Sequence, residues 1–112
     1  MGDLFHDIAA AARFGPEKMT KVNLFESSRM FCDLYCLEPG QVQKDHVHND
    51  NDKIYHLVTG ACTVRIGDER RRLAAGQTAI APAGVVHGLE NDTDVRATLL
   101  VVMAPHPSMP MA

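Results

Sequence analysis

The feature that most constrains this chain is its punctuation. Beyond residue 16 the sequence breaks into short apolar or alternating runs, each closed by a Gly, Pro or Asn-Asp signal. The runs are TKVNLF, RMFCDLYCLEPG, KIYHLVTG, ACTVRIGDE, RRRLAAG, QTAIAPAG, VVHGLEND and VRATLLVVMAPHP. Runs this short, with turn signals about every 8–12 residues, describe the strands of an all-β sandwich or barrel. No βαβ alternation interrupts them. In RMFCDLYCL the residues Met30, Cys32, Leu34 and Cys36 place apolar side chains at every second position, the period of a strand. RIGDER predicts a hairpin turn led by Gly67. One helix is expected, ahead of the strands: Asp3 can cap it, LFHDIAAAARF has helical spacing, and Gly15-Pro16 stops it. The three prolines of APHPSMPMA predict a loose end. The expected organisation is a helical segment over 1–16, a barrel over 17–104 and a tail over 105–112.

Composition bounds the partners. The 112 residues suffice for one domain with a core, and the apolar and charged shares of 46% and 22% are those of a globular protein. A net charge of −3 with no basic block argues against nucleic acid, because phosphate binding needs a positive footprint. No apolar run approaches the ~20 residues of a membrane span. MGDLFHDIAAAARFG is acidic where a secretory leader is basic, so the expected location is the cytoplasm. Cys32, Cys36 and Cys62 cannot all pair within one chain, and reduced thiols fit that compartment. Cys32 and Cys36 read as small buried hydrophobes rather than as a redox pair.

The chemistry concentrates in two stretches. In DHVHNDNDKIYHLVTG, His46 and His48 are two residues apart; on a strand they share a face, with Cα atoms about 6.6 Å apart. That spacing suits two imidazoles converging on one ion at about 2.0–2.1 Å, although a lone His-x-His is a weak signal. In GQTAIAPAGVVHGLEN, a strand ends in a Pro-x-Gly corner that places His87 on the next strand.

These two stretches resemble the motifs of the cupin superfamily. The first cupin motif runs Gly, five residues, His-x-His, three or four residues, Glu, six residues, Gly. Gly40, His46, His48 and Gly60 fill it, with only the glutamate missing. Gly76, Pro82, Gly84, His87 and Asn91 fill the second motif without a gap. The resemblance, to a small single-domain (type-2) cupin, implies a double-stranded β-helix, the jelly-roll barrel, open at one end. It also implies a divalent metal, Fe, Mn, Ni or Zn, held by His46, His48 and His87. The glutamate's place falls on Lys53 by the longer spacing and on Asp52 by the shorter one. Three arrangements are open: Asp52 turned inward by a β-bulge as fourth ligand, water in that position, or the Lys53 ammonium in a metal-free site.

Lys53 in a barrel mouth would have a lowered pKa and could act as a base or hold an anionic substrate; pointing outward, it would pair with Asp50 or Asp52. Tyr55 shares its face and either lines the pocket or fills the barrel. His56 has the opposite parity and is expected outside the site. His6 and His106 are expected to be exposed, and Arg70 to Arg72 a solvated hairpin edge. Asn91 is expected to tie the turn after His87, and Asp45 to be a surface acid or a support for an imidazole. The expected function is that of a metal-dependent enzyme on a small organic molecule, dioxygenase- or isomerase-like. The alternative is a non-catalytic binding or sensor protein, with or without metal. The runs TKVNLF and LLVVM would offer apolar strand edges, so a homodimer is expected.

Overall fold

A computed structural model describes residues 2–109. Every run singled out above is a strand: β1 Thr20–Ser27, β2 Met30–Leu37, β4 Asp52–Thr59, β5 Ala61–Ile66, β6 Glu69–Ala74, β7 Thr78–Ala81, β8 His87–Glu90 and β9 Ala97–Ala104. A further short strand, β3 Val42–His46, carries the first site histidine. The strands form two antiparallel sheets, one in the order β1-β2-β9-β4-β7 and the other β3-β8-β5-β6. The two sheets enclose one core, the double-stranded β-helix that the motifs imply.

Alternation along the strands decides what fills the barrel. Tyr35 and Leu37 on β2, Tyr55 and Leu57 on β4, and Leu99 and Val101 on β9 pack against Cys62, Val64, Leu73 and Leu89 of the other sheet. The apolar even face of β2 points the other way. Leu34 and Cys36 are fully buried there all the same, so the end of this strand is covered on both sides. All three cysteines are free thiols. The β5–β6 hairpin turns through Gly67 and Asp68, with Gly67 at φ 61, the positive angle that a tight hairpin needs at its first position. At Gly60 (φ +79) a Cβ would stand 2.2 Å from the Arg96 carbonyl oxygen, so only glycine lets the β4–β5 corner cross the start of β9.

Three expectations are corrected. The helix is a single turn, α1 Ile8–Ala11, capped by the Asp7 carboxylate rather than by Asp3. Asp3 instead bonds the Phe5 N–H in a local turn. Leu4 and Phe5 are 56% and 88% exposed, so no apolar stripe is buried that would sustain a longer helix. Second, β1 is an edge strand as expected, but β9, which carries LLVVM, lies in the middle of its sheet. Third, the described part of the segment expected to be a loose tail, 105–109, is tied down. Asn51 Nδ2 donates to the Pro105 carbonyl (2.7 Å), His106 N–H to the Ser28 carbonyl (3.2 Å), and the His106 ring meets the edge of Phe31.

Asn91 shows why its motif position takes an amide. It is fully buried; its Nδ2 donates to the Leu37 and Val95 carbonyls, and its Oδ1 accepts from the Thr93 N–H and hydroxyl. Asn91→Ala leaves the Leu37 carbonyl and the Thr93 N–H without their partner, whereas the Thr93 hydroxyl and the Val95 carbonyl keep each other. We expect a loss of about 2–4 kcal/mol in chemical denaturation, from unsatisfied buried polar groups at about 1–3 kcal/mol each.

Candidate metal centre

The site begins with a register shift. β3 pairs with β8 as Gln43 to Leu89 and then His46 to His87, so three steps on β3 match two on β8. The extra residue is a β-bulge at Lys44–Asp45, and it reverses the side-chain parity. Gln43 faces the interior opposite Leu89; without the bulge Asp45 would follow it inward, and with it His46 does. The bulge closes on Gly88, where a Cβ would stand 2.4 Å from Asp45 Oδ1 and 2.9 Å from the Gln43 carbonyl. The Asp45 carboxylate, rather than supporting an imidazole, accepts from Arg65 (2.8 Å) and lies 3.5 Å from Arg70. Arg72 likewise pairs with Asp92 (3.2 Å) and Arg71 with Glu69, so each arginine of the edge is tied to an acid.

The second half of the site is set by the Pro82–Gly84 corner. Gly84, at φ +83, donates its N–H to the His48 carbonyl (2.8 Å), and Val85 closes the turn onto Pro82 (3.1 Å). His87 starts β8 directly afterwards. His48 lies beyond the end of β3, not on it, so the corner rather than strand geometry holds it near its partners.

The three rings converge. Centroids are 4.2 Å apart for His46 and His87, 5.0 Å for His46 and His48, and 5.7 Å for His48 and His87. One ring nitrogen from each falls within 4.8 Å of the other two, a group able to hold a metal ion. Two tautomers follow from the backbone. His46 Nδ1 lies 2.7 Å from the Lys44 carbonyl and His87 Nδ1 3.0 Å from the Val85 carbonyl, so each Nδ1–H donates and each Nε2 keeps its lone pair. His87 Nε2 is buried with no hydrogen-bond partner among the described residues. An orphaned buried nitrogen of this kind is uncommon and costs about 1–3 kcal/mol, a cost that a bound cation removes. Burial also keeps the imidazoles neutral, as ligation requires: desolvation takes the His87 pKa down to about 4 and lowers those of His46 and His48.

Lys53, not Asp52, enters the barrel. Lys53 is 2% exposed, with its ammonium 3.3 Å from Gln43 Oε1 and over the rings of Tyr55 (4.9 Å) and Tyr35 (5.3 Å). It makes no ion pair among the described residues. Asp52 is exposed on the opposite face of β4 and accepts from the Ala83 N–H (2.9 Å), where it braces the Pro82–Gly84 corner. β4 pairs in register from Asp52 to Leu57, with its own shift only beyond, between Leu57 and Thr59, so no bulge turns Asp52 inward and the metal-ligating group contains no carboxylate. Tyr55 is fully buried and fills the barrel, donating its hydroxyl to Gln43 Oε1 (2.6 Å). His56 faces outward and bonds the Thr78 hydroxyl (2.8 Å).

Gln43 and Tyr35 lie outside the residues that define the two motifs, and no local signal in the chain marks them. Gln43 Nε2 reaches the Tyr35 hydroxyl (3.4 Å), so one amide links both tyrosines and the lysine. Tyr35, Gln43 and Lys53 form part of a cleft of about 440 Å³, lined also by Lys21, His46, His48, Phe31 and Pro107, while Tyr55 lies outside its lining. A larger groove of about 720 Å³ between Gly15–Lys21 and β3 shares Lys21 and Gln43 with it but holds none of the histidines.

Desolvation, reinforced by the Lys21 ammonium, lowers the Lys53 pKa from 10.5 to about 7. The unfolded chain therefore binds more protons than the folded one between pH 7 and 10.5, and stability rises with pH across that window. With metal stripped, wild type should gain on Lys53→Met from pH 7 to 10, with a slope approaching about 1.4 kcal/mol per pH unit. Denaturant midpoints that keep a constant difference between the two would contradict a buried, unpaired lysine.

The family model described as "Cupin domain" matches residues 33–103. An uncharacterised protein of Streptomyces coelicolor is 32% identical over 77 residues, covering 68% of this chain and 70% of that protein. The crystal structure of TT1209 from Thermus thermophilus superposes with a TM-score of 0.88 at 50% identity, over 90% of this chain and 96% of that one. A Klebsiella pneumoniae protein with a double-stranded β-helix domain gives 0.85 at 23% identity, over 93% and 91%. With two motifs, a two-sheet barrel and a matching family model in agreement, the chain belongs to the cupin family.

Proposed function

We propose that this protein is a mononuclear metalloprotein acting on a small organic molecule, with His46, His48 and His87 as the protein ligands of one divalent ion. The orphaned Nε2 of His87, inside a group of three neutral imidazoles, carries this reading. Imidazole donors suit Fe, Mn, Ni and Zn, and do not choose among them. Bound there, such an ion supplies Lewis-acid polarisation of a ligand oxygen, or dioxygen chemistry if it is redox-active.

The chain's own groups then have defined tasks. The Lys44 and Val85 carbonyls hold two imidazoles in the ligating tautomer. Three protein donors and no carboxylate leave positions on the ion for water and substrate. Lys53 supplies a positive charge or a proton at Nζ, and Gln43 keeps it in place with the tyrosines. Tyr55 acts through Gln43 from beneath the cleft.

A second reading, a binding or sensor protein without turnover, is favoured by one observation: Lys53 stands where cupins commonly carry the glutamate. Elemental analysis after loading with Fe, Mn, Ni or Zn tests the first. About one ion per chain is expected in the wild type, and none in His46→Ala/His48→Ala. Equal metal in both overturns the reading. In loaded protein, dioxygen uptake or product formation with small enols and diols separates enzyme from binder.

A cytoplasmic homodimer is part of the same proposal, the location being supported by the three free thiols. Ile54 and Ile80 pair directly across β4 and β7 on the outer sheet face, 39% and 56% exposed. Light scattering should give twice the 12.3 kDa chain mass, and Ile80→Glu should shift the species toward monomer. A monomer-sized wild type would contradict this.

A further inference from the structure

Lys53 raises a question of charge that the histidines do not answer. Its ammonium is surrounded by two aromatic faces and one amide oxygen, which solvate a cation but do not neutralise it. Lys21, also over the Tyr35 ring at 5.3 Å, and Lys44 line the same cleft. The one acid on its wall, Asp45, is already paired with Arg65 and Arg70. Asp33, which faces the interior in register with Val101, accepts from Asn23 Nδ2 (2.8 Å); its charge acts on Lys53 and Lys21 only from a distance, with no ion pair to either. Three lysines thus line a cleft whose two imidazoles, His46 and His48, bring no negative charge, and neither does His87 beside them. An added divalent ion would deepen the imbalance.

We propose that the cleft binds a small organic carboxylate, its carboxylate group held by Lys53 with Lys21 at the entrance. This deepens the metal-centre reading: the negative charge that the protein's own ligands do not provide arrives with the ligand. Carboxylate rather than phosphate follows from the donors present. The Lys53 ammonium has one N–H committed to Gln43 and two left, whereas phosphate sites gather several donors from arginine forks, backbone amides or helix N-termini. Among the described residues, no arginine lines this cleft. The volume of about 440 Å³ admits a molecule of a few carbons with room for a second group at the histidines.

Calorimetric titration with malonate, its neutral isostere malonamide and inorganic phosphate tests this, on both metal-stripped and zinc-loaded protein. Malonate should bind, with malonamide and phosphate each at least tenfold weaker. Lys53→Met should weaken malonate binding by about tenfold or more while still taking up zinc, and its circular dichroism should show the native fold. Lys21→Ala should weaken malonate several-fold with the same metal content. Malonamide binding as well as malonate, or Lys53→Met binding malonate like wild type, overturns the proposal. Tighter phosphate than malonate overturns the carboxylate assignment. Protein that takes up zinc but ignores malonate overturns the anion site alone. Protein that takes up no zinc yet binds malonate through Lys53 overturns the metal centre and leaves the anion site standing.

Discussion

A single extra residue in β3 is the constraint on which the rest of the site depends. Strand parity alternates strictly, so His46 faces the barrel only because the Lys44–Asp45 bulge reverses it. The bulge is possible because residue 88 is glycine, and it is fastened by the Arg65–Asp45 ion pair on the outside. An exposed ion pair contributes little stability on its own. Here its importance is geometric: it selects which of two neighbouring side chains looks inward. His87, opposite, is held by a stiff Pro-Ala-Gly corner, and the same corner bonds the His48 carbonyl and the Asp52 carboxylate. Two short devices, the bulge and the corner, therefore bring three rings together without help from a regular strand at His48.

The interior charge is the second consequence. A barrel lined by Tyr35, Tyr55 and Leu57 offers poor solvation, and a lysine placed there has its pKa lowered. The fold offsets part of the desolvation with the Gln43 amide and two ring faces. Among the described residues it leaves the charge without an ion pair, Asp33 acting only from a distance. This combination of neutral imidazoles and an unneutralised ammonium is what distinguishes the centre from a three-histidine, one-carboxylate arrangement, and it shifts attention from the protein's ligand set to the charge of what enters.

Much of this is legible in the chain. The strands follow from Gly, Pro and Asn-Asp punctuation, and the three histidines from the spacing of two motifs, because turns and motif residues are local. Asn91 and His56 behave as their positions suggest for the same reason. The failures are non-local. Whether Asp52 or Lys53 faces inward depends on where β4 keeps its register, and His46 turns in only through the β3 bulge, which nothing in KDH announces. Gln43 acquires its role from Tyr35 and Tyr55, eight and twelve residues away, once register is set. LLVVM reads as an edge because apolar alternation does not report sheet order. Helical spacing at the N-terminus is real, but without a surface to bury Leu4 and Phe5 only one turn forms.

A divalent ion in this site would be held by three imidazoles and no protein carboxylate. X-ray absorption of the zinc-loaded protein reads the ligands directly. Three imidazoles are expected in the scattering pattern, with the remaining ligands exchangeable oxygens, unchanged in Asp52→Asn. Fewer than three imidazoles, or a carboxylate contribution that Asp52→Asn removes, would contradict this ligand set.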